Sequence, residues 1–302
     1  MKSDSTEELK TVQKVQSFSY ILKTLFAGGV SGCCAKTAIA PLDRIKILFQ
    51  ASNPHYLEYS RSFRGLIGAL GNVSTTEGLK GHFKGNSATI ARIFPYAALQ
   101  YMSFEQFKVL LIDVPNRSFF AGALAGTVSV LGTYPLDLAR AKLAFQVKVN
   151  KYDGLWDTLS KTFKYEGGVA GLYRGFGPTL MGIIPYAGVS FFCYDTLKNT
   201  YKKKTGSDSL PIVFRLGIGG LAGALAQTAS YPLDVIRRRM QVEGHFQTNI
   251  YTSTWTSFKY ILKNEGIRGL YVGLYINYLK VAPAVGISFA TYEYLKGKLG
   301  VA

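Results

Sequence analysis

The hexapeptides "PLDRIK" from Pro41, "PLDLAR" from Pro135 and "PLDVIR" from Pro232 write one pattern three times in a chain of 302 residues. No other feature limits the fold as much, because each copy must belong to one supersecondary unit and the units must stack or close on one another. Aligned on their prolines, the copies share more. Gly28 and Gly32, Gly122 and Gly126, and Gly219 and Gly223 stand thirteen and nine residues ahead of the proline, the small-x-x-x-small spacing that lets helices pack closely. Behind each proline comes a more polar stretch with "EGLKGHFKG" from Glu77, "EGGVAGLYRG" from Glu166 or "EGIRGLYVG" from Glu265. A second apolar segment then ends in "FEQFK" from Phe104, "YDTLK" from Tyr194 or "YEYLK" from Tyr292. The predicted unit is helix, loop with a short helix, helix. It divides the chain into a tail over 1–19 and repeats over 20–112, 113–204 and 205–302.

Charge decides what surrounds these helices. Only 18% of the chain is charged against 48% hydrophobic, and residues 118–136, 175–194 and 216–233 carry no charge at all. At a rise of 1.5 Å per residue, about 20 helical residues cross a hydrocarbon core of about 30 Å, so these are candidate membrane spans. Their Gly, Ala, Ser and Thr content suits helices that pack on one another and line water on one face, as in a transporter. Two spans per unit return the chain to its starting side. Six transmembrane helices in three tandem repeats, around a pseudo-threefold axis and with short helices in the loops, are therefore the expected all-α fold. Pro41, Pro135 and Pro232 should each kink the first helix of their unit.

The net charge of +17 points to an anionic partner. A nucleic-acid binder would gather its bases on a water-exposed face and would not need uncharged spans. An enzyme is equally hard to build, since His55, His82 and His245 lie in loop-like stretches with no nucleophile and orienting acid at recognisable spacing. Cys33, Cys34 and Cys193 make neither a disulfide framework nor a C-x-x-C metal site, and no D-x-D-x-D-G loop occurs, so no metal and no resident cofactor are expected. The first residues carry acids at Asp4, Glu7 and Glu8 and no apolar core like that of a signal peptide, so any organelle address should be internal.

Within each repeat an acid and a base stand three residues apart: Asp43 and Lys46, Asp137 and Arg140, Asp234 and Arg237. A second set closes the second helices: Glu105 and Lys108, Asp195 and Lys198, Glu293 and Lys296. Alone in a membrane such charges are costly. Around a threefold axis each acid can reach the base of the next helix, which gives a ring of three ion pairs at either mouth of a central cavity. Two such rings read as two gates that open alternately.

Three units of this kind, with P-x-D/E-x-x-K/R, E-G-x-x-x-x-aromatic-K/R-G and aromatic-D/E-x-x-K/R, resemble the mitochondrial carrier family over about residues 20–298. The resemblance implies an inner-membrane, multi-pass exchanger with both termini toward the intermembrane space, the first ring as matrix gate and the second as cytoplasmic gate. It also implies a glutamine brace under the matrix gate at Gln50 and Gln241, with Ala144 at the third equivalent. Leu48 and Val272 replace bases of the family pattern, and the second loop motif has an extra residue.

Residues that obey the symmetry serve the gates; those that break it should read the cargo. Thirteen residues before Glu105, Asp195 and Glu293 stand Arg92, Gly182 and Lys280, at positions that resemble the family's substrate contact points. Lys36 faces the same depth, where the other repeats have Val130 and Gln227. Lys36, Arg92 and Lys280, expected without an acid of their own there, suit phosphate groups. Gly182 and Ile183, with Tyr186 one turn on, suit an adenine ring. Lys142, Arg238 and Arg239 could add to the phosphate site or meet anionic lipid. Stretches such as "GCCAKTAIAPLDRIKILFQ" and "GFGPTLMGIIPYAGVSFF" resemble the coenzyme A carriers, the Graves-disease-carrier-like members included. That likeness implies exchange of coenzyme A or a related adenosine phosphate for adenine nucleotide, with an ADP/ATP or ATP-Mg/phosphate-type carrier as the alternative. A monomer is expected, with membrane lipid as the other partner and the Gly-rich loop motifs as candidate cardiolipin headgroup sites.

Overall fold

The computed structural model describes residues 18–114, 117–147, 150–205, 211–246 and 250–300. Most of the expected tail over 1–19 lies outside them. Helices α1 (Phe18–Ala38) and α2 (Ala40–Gln50) form the first span, and α3 (Phe63–Gly81) is the loop helix of the first repeat. The second span is α4 (Asn86–Leu110). The second repeat has α5 (Arg117–Phe145), the loop helices α6 (Leu155–Tyr165) and α7 (Val169–Leu172), and α8 (Phe176–Thr205). The third has α9 (Ile212–Phe246), α10 (Thr254–Gly269) and α11 (Leu274–Lys298). Among the described residues there is no strand.

Each second span packs along the first span of the following repeat, α4 on α5, α8 on α9 and α11 on α1, so the three repeats close into a ring of six spanning helices. By length and apolarity alone, only α5 and the stretch Val169–Lys203, which covers most of α8, would cross a membrane among the described residues. Two bent pairs, α1 with α2 at 61° and α10 with α11 at 66°, qualify when each is counted as a broken span. Of the remaining spans, α4 carries Arg92 and Glu105, whereas the uncharged stretch 216–233 of α9 falls short because its glycines, Gln227, Ser230 and Tyr231 dilute its apolar residues. On the outside of the ring, large apolar side chains such as Leu131, Ile184, Phe192, Leu216 and Phe289 are exposed, as a lipid-facing surface requires.

The prolines act unequally. At Pro41 the helix breaks at Ile39, between α1 and α2. Pro135 and Pro232 instead lie inside helices that run on without a break. The expected kink is thus a true interruption in the first repeat only.

The glycine that ends each loop motif joins one repeat to the next. Gly85, Gly175 and Gly273 take left-handed φ values of 85°, 83° and 80°, a conformation open to glycine and costly for other residues. Gly85 and Gly175 also sit too close to the next repeat for a side chain to enter without a shift. A Cβ on Gly85 would stand 2.8 Å from the Arg140 carbonyl oxygen, and one on Gly175 3.0 Å from that of Arg237. These contacts fold each loop under the neighbouring proline helix and place the acid and base residues at the closed end of the cavity.

Candidate functional site

At the proline end the acids and bases meet across the seams between repeats. Arg140 Nη2 donates to Asp43 Oδ2 at 2.6 Å, and Arg237 Nη2 to Asp137 Oδ2 at 2.5 Å. The third expected pair, Lys46 with Asp234, is not formed. Lys46 Nζ donates to Asn277 Oδ1 at 2.9 Å, and Asp234 Oδ2 accepts from Gln227 Nε2 at 3.0 Å. The reason is local: the positions equivalent to Asn277 are Thr89 and Thr179, whose hydroxyls turn back to their own helix carbonyls. Asparagine reaches across the seam instead and takes the lysine.

The three bases assigned to the cargo do not all stand alone. Arg92 Nη1 pairs with Asp137 Oδ1 at 2.9 Å, and Lys280 Nζ with Asp43 Oδ1 at 2.8 Å. Arg92 is further held by Thr133 and lies over the Tyr96 ring. The expectation of uncompensated charge therefore needs correcting for these two, because the proline-end acids reach up from the next helix to meet them. Lys36 makes no ion pair among the described residues, although Asp43, Arg92, Arg140 and Lys280 lie near enough to act on its charge. Gly182 and Ile183 are half-buried, and Tyr186 is 44% exposed.

Asp137 is the hub of this end. Besides Arg92 and Arg237 it binds Arg238 Nη1 at 3.2 Å and Gln241 Nε2 at 3.0 Å. Gln241 so braces a formed pair. Gln50 Nε2 is buried without a partner among the described residues, since the ion pair it would brace is the missing one; the Gln50 backbone oxygen accepts from Arg239.

A second tier lies below. Glu77, Glu166 and Glu265 of the loop motifs pair with Arg44 at 2.8 Å, Lys142 at 2.6 Å and Arg239 at 2.5 Å. Lys142 and Arg239 are consequently buried and committed to their glutamates, not free for cargo or lipid as their position suggested. Burial works to raise the Glu166 carboxyl, but the Lys142 ammonium and Tyr152 hydroxyl that donate to it hold it below the usual carboxylate range. Leu48, where the pattern calls for a base, packs in an apolar cluster with Phe49 and Ile276. Arg44, one turn earlier, takes over its role. Its guanidinium also donates to the carbonyls of Gly81, Ala144 and Gln146, which ties the first repeat to the second. Sequence comparison missed Arg44; its signal was a base four residues ahead of the gap. Arg44→Leu should leave Glu77 with the Lys84 ammonium alone and the carbonyls of Gly81, Ala144 and Gln146 without their donor, at a cost of about 1–3 kcal/mol, read as a lower unfolding temperature of the purified protein.

The opposite end is open. Glu105, Asp195 and Glu293 are exposed, and among the described residues no ion pair joins them to Lys108, Lys198 or Lys296. Among the described residues no group of three or more potential metal ligands is found either. The site is a basic, partly neutralised cluster held by ion pairs at the proline end, while the charged residues of the opposite end stay unjoined among the described residues.

The mitochondrial carrier protein family matches three times, at residues 17–115, 113–205 and 208–301. "Mitochondrial carrier protein LEU5" of Saccharomyces cerevisiae is 40% identical, over 97% of this chain and 94% of that one. "Solute carrier family 25 member 16" of Homo sapiens is 43% identical, over 92% and 88% of the two chains. "Mitochondrial carrier protein CoAc2" of Zea mays is 42% identical, over 91% and 86%.

Proposed function

This chain belongs to the mitochondrial carrier family, and is thus a multi-pass transporter of the mitochondrial inner membrane and not an enzyme; on that premise we propose that it exchanges coenzyme A or a related adenosine phosphate for adenine nucleotide. The observation that carries the proposal is the charge of the cavity floor. Lys36, Lys46, Arg92, Arg140, Arg237, Arg238 and Lys280 gather there around only Asp43, Asp137 and Asp234. The excess suits a cargo with several phosphates. Its likeness to relatives named CoAc1 and CoAc2 supports coenzyme A among such cargoes.

The ion pairs suggest how binding and opening are linked. Arg92 and Lys280 each hold an acid of the neighbouring repeat, so a phosphate that takes either base must loosen a tie across a seam. Cargo is then bound most strongly while the closed end is parting, which speeds exchange rather than mere binding. In this reading the termini face the intermembrane space, the proline-end ring is the matrix gate and the exposed set of Glu105, Asp195 and Glu293 with their lysines is the cytoplasmic gate, open here. The three repeats act as a monomer, and cardiolipin occupies the loop glycine motifs.

Uptake of labelled ADP into liposomes carrying the purified protein tests this directly. Interiors loaded with coenzyme A or dephospho-coenzyme A should drive uptake at least about tenfold faster than empty ones. Uptake with ATP inside but none with coenzyme A would move the protein to the ADP/ATP or ATP-Mg/phosphate type.

A further inference from the structure

Asp234 is the acid of the proline-end ring that has no cation bound among the described residues. Threefold symmetry would give it two. The ring base Lys46 is held by Asn277 at 2.9 Å. The other would stand where Arg92 and Lys280 stand for Asp137 and Asp43, and that position is Gly182. What Asp234 has instead is Gln227 Nε2 at 3.0 Å, from a position that is Lys36 or Val130 in the other repeats. Two departures from symmetry, on different helices, converge on one half-buried carboxylate.

Gly182 lies against the same place. A Cβ on Gly182 would meet the Leu233 side chain at 3.7 Å, so the missing side chain of α8 faces the turn of α9 that carries Asp234. Ile183 and the exposed ring of Tyr186 continue this side of the cavity. A flat ring lying against Gly182 comes to the residue next to Asp234, with acceptor capacity of the carboxylate unused by any cation. We infer that Asp234, oriented by Gln227, is a specificity-determining residue that accepts a hydrogen bond from the exocyclic amino group of an adenine lying against Gly182.

A neutral N–H donor fits this carboxylate better than a metal ion does. Arg237, Arg238 and Lys46 all lie near enough to interact with it electrostatically, and their positive field opposes a further cation. The field does not oppose an uncharged amine. A base with a carbonyl oxygen at the same ring position would instead meet the carboxylate acceptor to acceptor, and would have to shift to offer its neighbouring ring N–H, so the site discriminates against it. Arg92 and Lys280 meanwhile remain for the phosphates, so the cargo is oriented with its base toward the third repeat. The inference rests on the adenine-containing cargo proposed above.

ADP and IDP differ at this amino group, so their rates decide it. The protein in liposomes preloaded with unlabelled ADP should take up labelled ADP at least about tenfold faster than labelled IDP. Asp234→Asn, whose amide both accepts and donates, should bring the ADP-to-IDP ratio close to one even where the overall rate falls, because Asp234 also belongs to the proline-end ring. Gln227→Val, which leaves the carboxylate but removes its holder, should lower the ratio part of the way. If Asp234→Asn does not fold, the Gln227→Val ratio decides alone. An ADP-to-IDP ratio unchanged by these substitutions would overturn the inference while leaving the proposed transport intact. Uptake of neither nucleotide by the native protein would sink the proposed transport itself.

Discussion

Asp137→Asn is expected to reduce exchange by at least about a hundredfold and to lower the unfolding temperature, while Asp234→Asn leaves a folded protein. A symmetric ring would predict equal losses. The structure is not symmetric: Asp137 is 2% exposed and neutralises Arg92, Arg237 and Arg238 together. Asparagine would leave three guanidinium groups facing one another around a neutral amide. Breaking a buried pair from one side typically costs about 3–5 kcal/mol, because the remaining charge stays buried without a partner. Here that penalty falls on a hub shared by the first, second and third repeats. Asp234 binds one amide, and Lys46, Arg237 and Arg238 act on it without pairing with it, so fewer direct ties are released. Thermal unfolding of the two purified variants, with their exchange rates in liposomes, checks the contrast; similar losses at both positions would show that the ring works as three equal links.

The contrast also marks how far the sequence could be read. The three prolines, their acids and bases and the glycine pairs stand at constant spacing, with the loop glutamates recurring in the same order at variable distance, and such spacing is what a repeated fold imposes on a chain. The unit and its closure into six helices follow from that alone. What could not be read was partner choice across seams. Arg92 and Asp137 lie in different motifs, so aligning like with like never sets them side by side, although they are 2.9 Å apart. Whether Lys46 closes the ring depends on Asn277, a residue outside every motif, whose importance appears only once α11 is known to lie against α2. Leu48 looked like a lost base because the alignment counts positions, whereas an arginine side chain one turn away reaches the same glutamate. In each case symmetry supplied the frame, and the chemistry lay in the exceptions.

Lys36, Arg92 and Lys280 should separate by stability even where they agree in transport. All three are expected to serve the phosphates, so replacing any of them with Met should slow exchange by at least about tenfold. The ties they make in the empty protein differ. Arg92 holds Asp137 and Thr133, and Lys280 holds Asp43, each across a seam between repeats. Arg92→Met and Lys280→Met therefore remove a phosphate site and a seam contact at once, and should lower the unfolding temperature by about 2–4 °C for each kcal/mol lost. Lys36 has no ion pair to lose, and its removal relieves the burial of an ammonium and its repulsion from Arg140, Lys280 and Arg92, against the loss of attraction to Asp43, so Lys36→Met should unfold no earlier than the native protein. Added nucleotide supplies the discriminating measurement. If the cargo takes over bases that are paired with acids in the empty carrier, ADP should stabilise the native protein and much less any of the three variants. A Lys36→Met protein that gains the full native increment from ADP would show that Lys36 lies outside the phosphate site, whatever its rate of exchange.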